Sequence, residues 1–286
     1  MATELEIKLT LAEQSQAEAL AWLLAQPEAS EGPRKVLVNR YYDTPSAALN
    51  HARAALRVRE AGGRYIQTLK TQGEFVDGAH RREEWEWEIP SADLDLALLE
   101  QTPLNNQLDL SELELAFETN FTRQIVMLNT GEAVIEVAVD SGEIAGGGGA
   151  RPLHEVEFEL KSGHSESLMI WAAALAREVP VFLNLVSKAE QGYHLAGIHQ
   201  PTLRQSTEVL SVTEFLYQLS RAWLISVPVV LSEESLFDVQ RLAGKVGLQN
   251  VWDQLMPELI RGSTVPDIIE RIPRMGELQL AMASAS

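Results

Sequence analysis

The sequence predicts an α+β fold, with about eight antiparallel strands and interrupting helices over residues 1–203 and a small all-helical unit over 204–286. Three observations carry this reading. Segments 3–12, 35–43, 55–61, 63–71, 82–90, 117–128, 132–145 and 152–161 read as strands, and in several of them, such as 3–12, 82–90 and 152–161, apolar and charged residues alternate with the period of a strand with two unlike faces. Turn-forming residues such as Gly62-Gly63 separate several neighbouring segments, as they do between antiparallel strands. From about residue 208 the apolar residues change to helical spacing, punctuated by Pro228, Pro257, Pro266 and Pro273.

In chain order, Glu4-Leu5-Glu6-Ile7-Lys8-Leu9-Thr10-Leu11 opens with one aliphatic and one charged face. A helix is expected over 15–26, capped by Ser15 and rich in Ala and Leu. Arg57 and Arg59 share one face of 55–61, and Gly62-Gly63 reads as the two-residue turn into the next strand. In 82–90, Arg82, Glu84, Glu86 and Glu88 alternate with Trp85 and Trp87. Thr130-Gly131 reads as a turn before Ile135, Val137 and Val139, which alternate with Glu136 and Asp140. Gly146 to Gly149 reads as a flexible loop, followed by the second acidic strand His154-Glu155-Val156-Glu157-Phe158-Glu159-Leu160-Lys161 and a helix over 165–178. The tail from Gln279 to Ser286 is expected to fray.

Composition narrows the chemistry. A chain of 286 residues with 45% hydrophobic content can bury a sizeable core. It has no apolar run near the roughly 20 residues needed to span a bilayer, so the expected location is the cytoplasm, away from membranes. The absence of Cys excludes disulfides, thiolate catalysis and Cys-ligated metals. A net charge of −18 argues against a general nucleic-acid binder. A local cluster of cations could still hold a small polyanion.

Alternation alone is met by a solvated charged face at least as readily as by a polar interior. The recurrence of Glu-x-Glu and Lys in two distant strands suggests one shared site. Carboxylates two residues apart on a strand lie about 6.7 Å apart, and at an effective dielectric near 20 they repel by roughly 2.5 kcal/mol. Burying Glu4 and Glu6 together with Glu155 and Glu157 calls for a divalent ion, and all-oxygen ligation points to Mg²⁺ or Mn²⁺. Such ions couple carboxylates to phosphates. Arg57 and Arg59 offer forked donors, and Lys8, Lys70 and Lys188 offer point charges. The Gly146–Gly149 run lacks the Lys-Ser/Thr of a phosphate-binding loop.

Several motifs, taken in order, resemble the CYTH domain of the triphosphate tunnel metalloenzymes. They are Glu4-x-Glu6-x-Lys8, Tyr41-Tyr42-Asp43-Thr44-Pro45, Ala55-Leu56-Arg57-Val58-Arg59, Thr68-Leu69-Lys70, Arg82-x-Glu84 and Phe121-x-Arg123. Glu136 to Asp140, the second Glu-x-Glu and Leu185-x-Ser187-Lys188-x-x-x-Gly192-Tyr193 complete the set, which covers roughly residues 1–200. The resemblance is nearest to bacterial inorganic triphosphatases that carry a helical domain after the tunnel. It implies an eight-stranded antiparallel β-barrel tunnel with a charged lumen and flanking helices, and metal-dependent hydrolysis of tripolyphosphate to pyrophosphate and phosphate. It implies metal ligation by Glu4, Glu6, Glu155, Glu157 and Asp140. Lys8, Arg57, Arg59, Lys70, Arg82, Arg123 and Lys188 would bind phosphates, and Glu84 and Asp140 would orient a Lys or Arg or hold metal-bound water. Lys8, Arg57, Arg59, Glu84 and Asp140 would thus act in the catalytic step.

Some alternatives stay open at this level. The second metal pair is two neighbours among Glu155, Glu157 and Glu159, with Glu155 and Glu157 preferred because Glu159 lies nearer the strand end. Glu159 and Lys161 also read as a solvated mouth, and Glu86 and Glu88 as rim charges. His80 and His154 are set aside as lone histidines. Thiamine triphosphatase or adenylate cyclase activity would use the same tunnel, and a binding module for polyphosphate or nucleotides would keep it without turnover. Residues 204–286 hold seven Lys or Arg against ten acidic residues and no His, too short and too poor in cations for the CHAD module that often follows such tunnels. They read as structural, packing on the tunnel wall or forming a homodimer contact.

Overall fold

The computed structural model describes residues 2–71, 73–76, 78–104, 109–110, 112–203 and 209–286. Its strands are β1 (Ala2–Thr10), β2 (Ala29–Asp43), β3 (Ala55–Ala61), β4 (Arg64–Lys70), β5 (Glu74–Val76), β6 (Ala79–Ile89), β7 (Glu114–Asn129), β8 (Ala133–Gly146), β9 (Gly149–Gly163) and β10 (Phe182–Leu183). Eight of them pair antiparallel in the order β1-β9-β8-β7-β2-β3-β4-β6, and β6 returns to β1 with Glu4 opposite Arg82 and Glu6 opposite His80. The ring closes, so the long strands leave no open sheet edge. Short β5 and β10, which alternation did not reveal, extend the rim.

Register shows which face looks inward. Asn39 lies opposite Arg59 and Thr119, and Arg123 lies opposite Asp140, which in turn faces Glu155. Their polar side chains meet inside the ring. The aliphatic face looks outward: Ile7, Leu9, Val137, Val139, Val156 and Phe158 are buried against helices. The core therefore lies outside the barrel, between wall and helices, where each fully buried aliphatic side chain contributes about 1.5–3 kcal/mol.

The helices are α1 (Glu13–Leu24), α2 (Ala48–His51), α3 (Glu166–Glu178), α4 (Lys188–Leu195), α5 (Val212–Ile225), α6 (Phe237–Lys245), α7 (Gln249–Arg261), α8 (Val265–Arg271) and α9 (Met275–Ser284). Ala19 and Leu23 of α1, Leu168, Ala172 and Leu175 of α3, and the apolar faces of α5 to α9 share one buried cluster with β1, β8 and β9. None of the helices among the described residues is long and apolar enough to cross a membrane. The expected division at 203/204 abuts residues 204–208, which lie outside the described residues.

Four local expectations are corrected. Helix α1 starts at Glu13 after an N-cap at Ala12 that makes no side-chain bond, so Ser15 lies inside the helix and caps nothing. Strand β1 ends at Thr10 rather than at residue 12, and the helix begins three residues later, at Glu13. Gly146 to Gly149 is a tight hairpin: Gly146 pairs with Gly149, while Gly147 and Gly148 have φ of +58° and +80°, the left-handed pair a two-residue turn requires. The tail does not fray, because Met275, Leu278, Leu280 and Met282 are fully buried in the cluster shared with α3 and β10. The Gln279 side chain also accepts from the Leu183 N–H at 2.9 Å and donates to its carbonyl at 3.2 Å, pairing with β10 as a strand would.

Candidate active site in the barrel lumen

One end of the lumen is filled by apolar inward positions. Leu37, Phe117, Phe121, Ile144 and Leu153 form a buried cluster with Tyr41 and Tyr193. Tyr41 stacks on Phe117 at 4.6 Å, and Tyr193 meets the same ring edge-on at 5.0 Å. Tyr193 comes from α4, which begins at a capping box: Ser187 Oγ accepts from the Glu190 N–H while Glu190 accepts from the Ser187 N–H. The helix can approach only because of Gly192, whose Cβ would fall 2.0 Å from the Phe117 ring. This close packing fixes Lys188, at the start of α4, in the lumen.

Beyond the apolar end lies a cavity of about 840 Å³ lined by Glu4, Glu6, Lys8, Arg57, Arg59, Lys70, Arg82, Glu84, Arg123, Glu157 and Lys188. Thus Lys8, Arg57, Arg59, Lys70, Arg82, Arg123 and Lys188, the expected phosphate ligands, all face one space. Asp140 and Glu155 are fully buried behind this surface. Glu159 and Lys161 line the cavity as well, as a 2.7 Å ion pair at a more exposed position.

Two ionic clusters organise the walls. In the first, Lys70 Nζ donates to both Glu4 oxygens at 2.9 Å and lies 3.2 Å from Glu84. Arg82 Nε donates to Glu4 at 2.9 Å, and its terminal nitrogen donates to Glu6, so one guanidinium bridges the Glu-x-Glu pair. Arg57 lies 3.8 Å from Glu84 and 4.0 Å from Glu86. In the second cluster, Arg123 makes a forked pair with Asp140 at 2.7 Å for each bond and donates to Glu157 at 2.8 Å. Lys188 Nζ sits among three carboxylates, 2.7 Å from Glu155, 2.7 Å from Glu157 and 3.0 Å from Asp140. Gln191 completes Glu155 with a 2.9 Å bond.

Two of the expected phosphate ligands stand apart. Lys8, 2% exposed, has no carboxylate within 4 Å among the described residues, and neither has Arg59, whose Nε donates to Asn39 at 2.7 Å.

Proton affinities follow from this placement. Burial works to raise the Glu4 carboxyl, but Lys70 and Arg82 hold it far below the usual carboxylate range. Glu157 is likewise held low against burial, by Lys188, Arg123 and Lys8. Glu6 is raised instead, because burial with Glu4 and Glu157 nearby outweighs Arg82. Burial beside Arg57 and Arg123 lowers the Arg59 guanidinium to about 9. Burial close to Lys8 and Arg82 keeps His80 neutral, its pKa lowered to about 3. The lumen is thus crowded with cations around Arg59 and with acids around Glu6.

The donor set fits a hard divalent ion in kind and direction. Three carboxylates converge on one point at Lys188 and two on Arg82, and no sulfur competes. Among the described residues no group of three acidic or His side chains is drawn close enough to hold a metal. Oxygens 2.7–3.0 Å from an ammonium must move inward by about 0.7 Å to meet Mg²⁺. In this structure those carboxylates are engaged by Lys188 and Arg82 instead.

Several lining residues carried no role in the sequence reading. Tyr41 and Tyr193 lay inside recognised motifs, yet their meeting across the lumen depends on strand pairing and on α4. Arg53, His199, Tyr217 and Arg221 also line the cavity and had no sequence signal, since they come from a turn, a loop and a helix far apart in the chain.

The description of the CYTH domain family matches residues 2–193. An inorganic triphosphatase from Haemophilus influenzae is 35% identical over 207 residues, covering 69% of this chain and 56% of the relative. The chain therefore spans little more than half the length of that curated relative. A Hippeastrum protein, described as an adenylyl cyclase candidate with a dominant triphosphatase activity, has a solved structure with a TM-score of 0.50 and 20% identity. The likeness covers 67% of this chain and 95% of that one, and at this identity it bears on the fold.

Proposed function

Because this chain belongs to the CYTH domain family, we propose that it is a metal-dependent triphosphatase that cleaves tripolyphosphate to pyrophosphate and phosphate inside the barrel. The observation that carries the reading is the set of lumen cations left without carboxylates. Arg59 and Lys8 are held beside Arg57 and Arg123 or deep in the wall, a like-charge arrangement that a bound polyanion would relieve.

Arg57, Arg59 and Arg123 would grip phosphoryl oxygens with forked donors, and Lys8 and Lys70 would add point charges. Arg82 and Lys188 would turn from their carboxylates to the phosphates, releasing Glu4 and Glu6 on one wall and Glu155, Glu157 and Asp140 on the other. Mg²⁺ or Mn²⁺ held by these acids would neutralise phosphate charge and supply an activated water for attack on the terminal phosphorus. Glu84 would keep Lys70 and Arg57 aimed inward, as Asp140 does for Arg123. The aromatic end of Tyr41, Phe117 and Tyr193 would keep bulk water from the site. The preference for the Glu155/Glu157 pair over Glu157/Glu159 rests on convergence, since Glu155 and Glu157 already point at one cation while Glu159 pairs outward with Lys161.

The test is a panel of tripolyphosphate, thiamine triphosphate and ATP, each with Mg²⁺, with Mn²⁺ and with chelator. Phosphate release from tripolyphosphate that requires metal is expected, and it should disappear in Glu6→Gln with the fold intact by circular dichroism. Cyclic AMP as the main product from ATP, or full activity in Glu6→Gln, would overturn the reading.

A further inference from the structure

The cavity is larger than a triphosphate requires. Its volume of about 840 Å³ lies toward the upper end of the range for drug-sized ligands, whereas tripolyphosphate has roughly a dozen heavy atoms. Part of its lining comes from residues outside the family match, which ends at residue 193. His199 and, from α5, Tyr217 and Arg221 line the same cavity as Glu4 and Lys188, together with His51 at the end of α2 and Arg53 in the turn that follows.

This outer region is cationic. Neither Arg53 nor Arg221 has a carboxylate within 4 Å among the described residues. The nearby acid, Glu190, is occupied by the α4 capping box, where it accepts from the Ser187 N–H at 2.8 Å. Arg53 is held in place by its backbone, with φ of +54° and N–H bonds from Arg53 to Asn50 and from Ala54 to Leu49, each at 2.9 Å. A left-handed non-glycine residue costs on the order of 1 kcal/mol and persists only where its surroundings fix it. Arg221 lies 5.5 Å over the Tyr217 ring, which also meets the Phe75 edge at 6.4 Å. That leaves little free aromatic surface for a nucleobase, while the charges suit more phosphate.

We propose that Arg53 and Arg221, with His51 and His199, form an outer subsite for phosphates beyond the third in a linear polyphosphate, so that α5 sets chain-length preference. The proposal rests on the reading that the lumen takes a triphosphate, but its binding test does not depend on turnover.

The test measures dissociation constants of tripolyphosphate, tetrapolyphosphate and ATP by calorimetry in metal-free buffer, for the full chain and for the Arg53→Gln/Arg221→Gln double variant. The native protein should bind tetrapolyphosphate more tightly than tripolyphosphate. The variant should weaken tetrapolyphosphate binding by about tenfold, the equivalent of 1.4 kcal/mol, while leaving tripolyphosphate within about twofold. Arg221→Lys, which keeps the charge, should retain most of the discrimination. The subsite is refuted if the native chain binds both polyphosphates equally, if the variant weakens both alike, or if ATP suffers more than tetrapolyphosphate. Failure of metal-dependent tripolyphosphate hydrolysis, with chain-length discrimination intact, would count against the catalytic reading alone.

Discussion

Replacing Lys188 by Met tests whether the second acidic cluster converges as described. The ammonium holds Asp140, Glu155 and Glu157 at 3.0, 2.7 and 2.7 Å, and both Asp140 and Glu155 are fully buried. At an effective dielectric near 20, each contact is an attraction on the order of 5–6 kcal/mol, most of it offset by the desolvation of the ions involved. Removing one partner of a buried ionic group costs about 3–5 kcal/mol, because the remaining charges stay buried. Arg123 still contacts Asp140 and Glu157, which places the expected loss near 3 kcal/mol, a large fraction of a domain's ordinary stability. Urea unfolding followed by Trp fluorescence at pH 7 would read it. The three freed carboxylates should then welcome a divalent ion, so Mg²⁺ should stabilise Lys188→Met more than the native chain, by about 2.7 kcal/mol at a hundredfold excess over its dissociation constant. A loss under 1 kcal/mol with no gain in Mg²⁺ dependence would show that the carboxylates do not share a centre.

Other outcomes follow from the same geometry. His80 stays neutral in the fold down to about pH 3 but titrates near 6.5 when unfolded, so the unfolded chain binds more protons between those values. Its contribution is complete above pH 6.5 and falls by about 1.4 kcal/mol per pH unit as pH drops through that window; His80→Gln should flatten the stability–pH profile there, and an unchanged slope would count against the assignment. Gly192→Ala places a methyl 2.0 Å from the Phe117 ring, so α4 must shift. A destabilisation of about 1–3 kcal/mol with reduced tripolyphosphate turnover is expected by thermal melting and phosphate assay. Leu280→Ala, in the buried tail helix, should cost about 2–5 kcal/mol in urea unfolding; a value near zero would restore the picture of a frayed end.

Alternation and turn chemistry made most of the barrel legible in the sequence. A period-two charged face needs only local writing, and Gly62-Gly63 encodes its turn through backbone freedom at φ of +58° and +80°. Glu4, Glu6, Arg57 and Arg59 stood out for the same reason, because each sits on a strand at a readable spacing, whereas Lys188 stood out through the motif that carries the family resemblance. What alternation left undecided was the side on which the charged face lies. A sheet whose polar face is solvated and a barrel whose polar face is enclosed have the same local pattern, and only the return of β6 to β1 distinguishes them.

Tertiary structure also decided how the charges are paired. Arg82 bridging Glu4 and Glu6, Lys188 gathering three acids and Arg59 paired with Asn39 rather than, among the described residues, a carboxylate depend on which strands become neighbours, over separations that no local pattern records. The tail illustrates the limit most directly. Met275 to Ser284 has no sequence feature that distinguishes a fraying end from a core helix, and it is ordered because the outward aliphatic face of an inside-out barrel must be covered by something. The sequence alone thus determined the eight barrel strands, the charged stripe and the resemblance to the family. The closure of the ring, the burial of its charges and the contribution of α5 to the cavity came from long-range packing, because burial is a property of the assembled fold rather than of any segment.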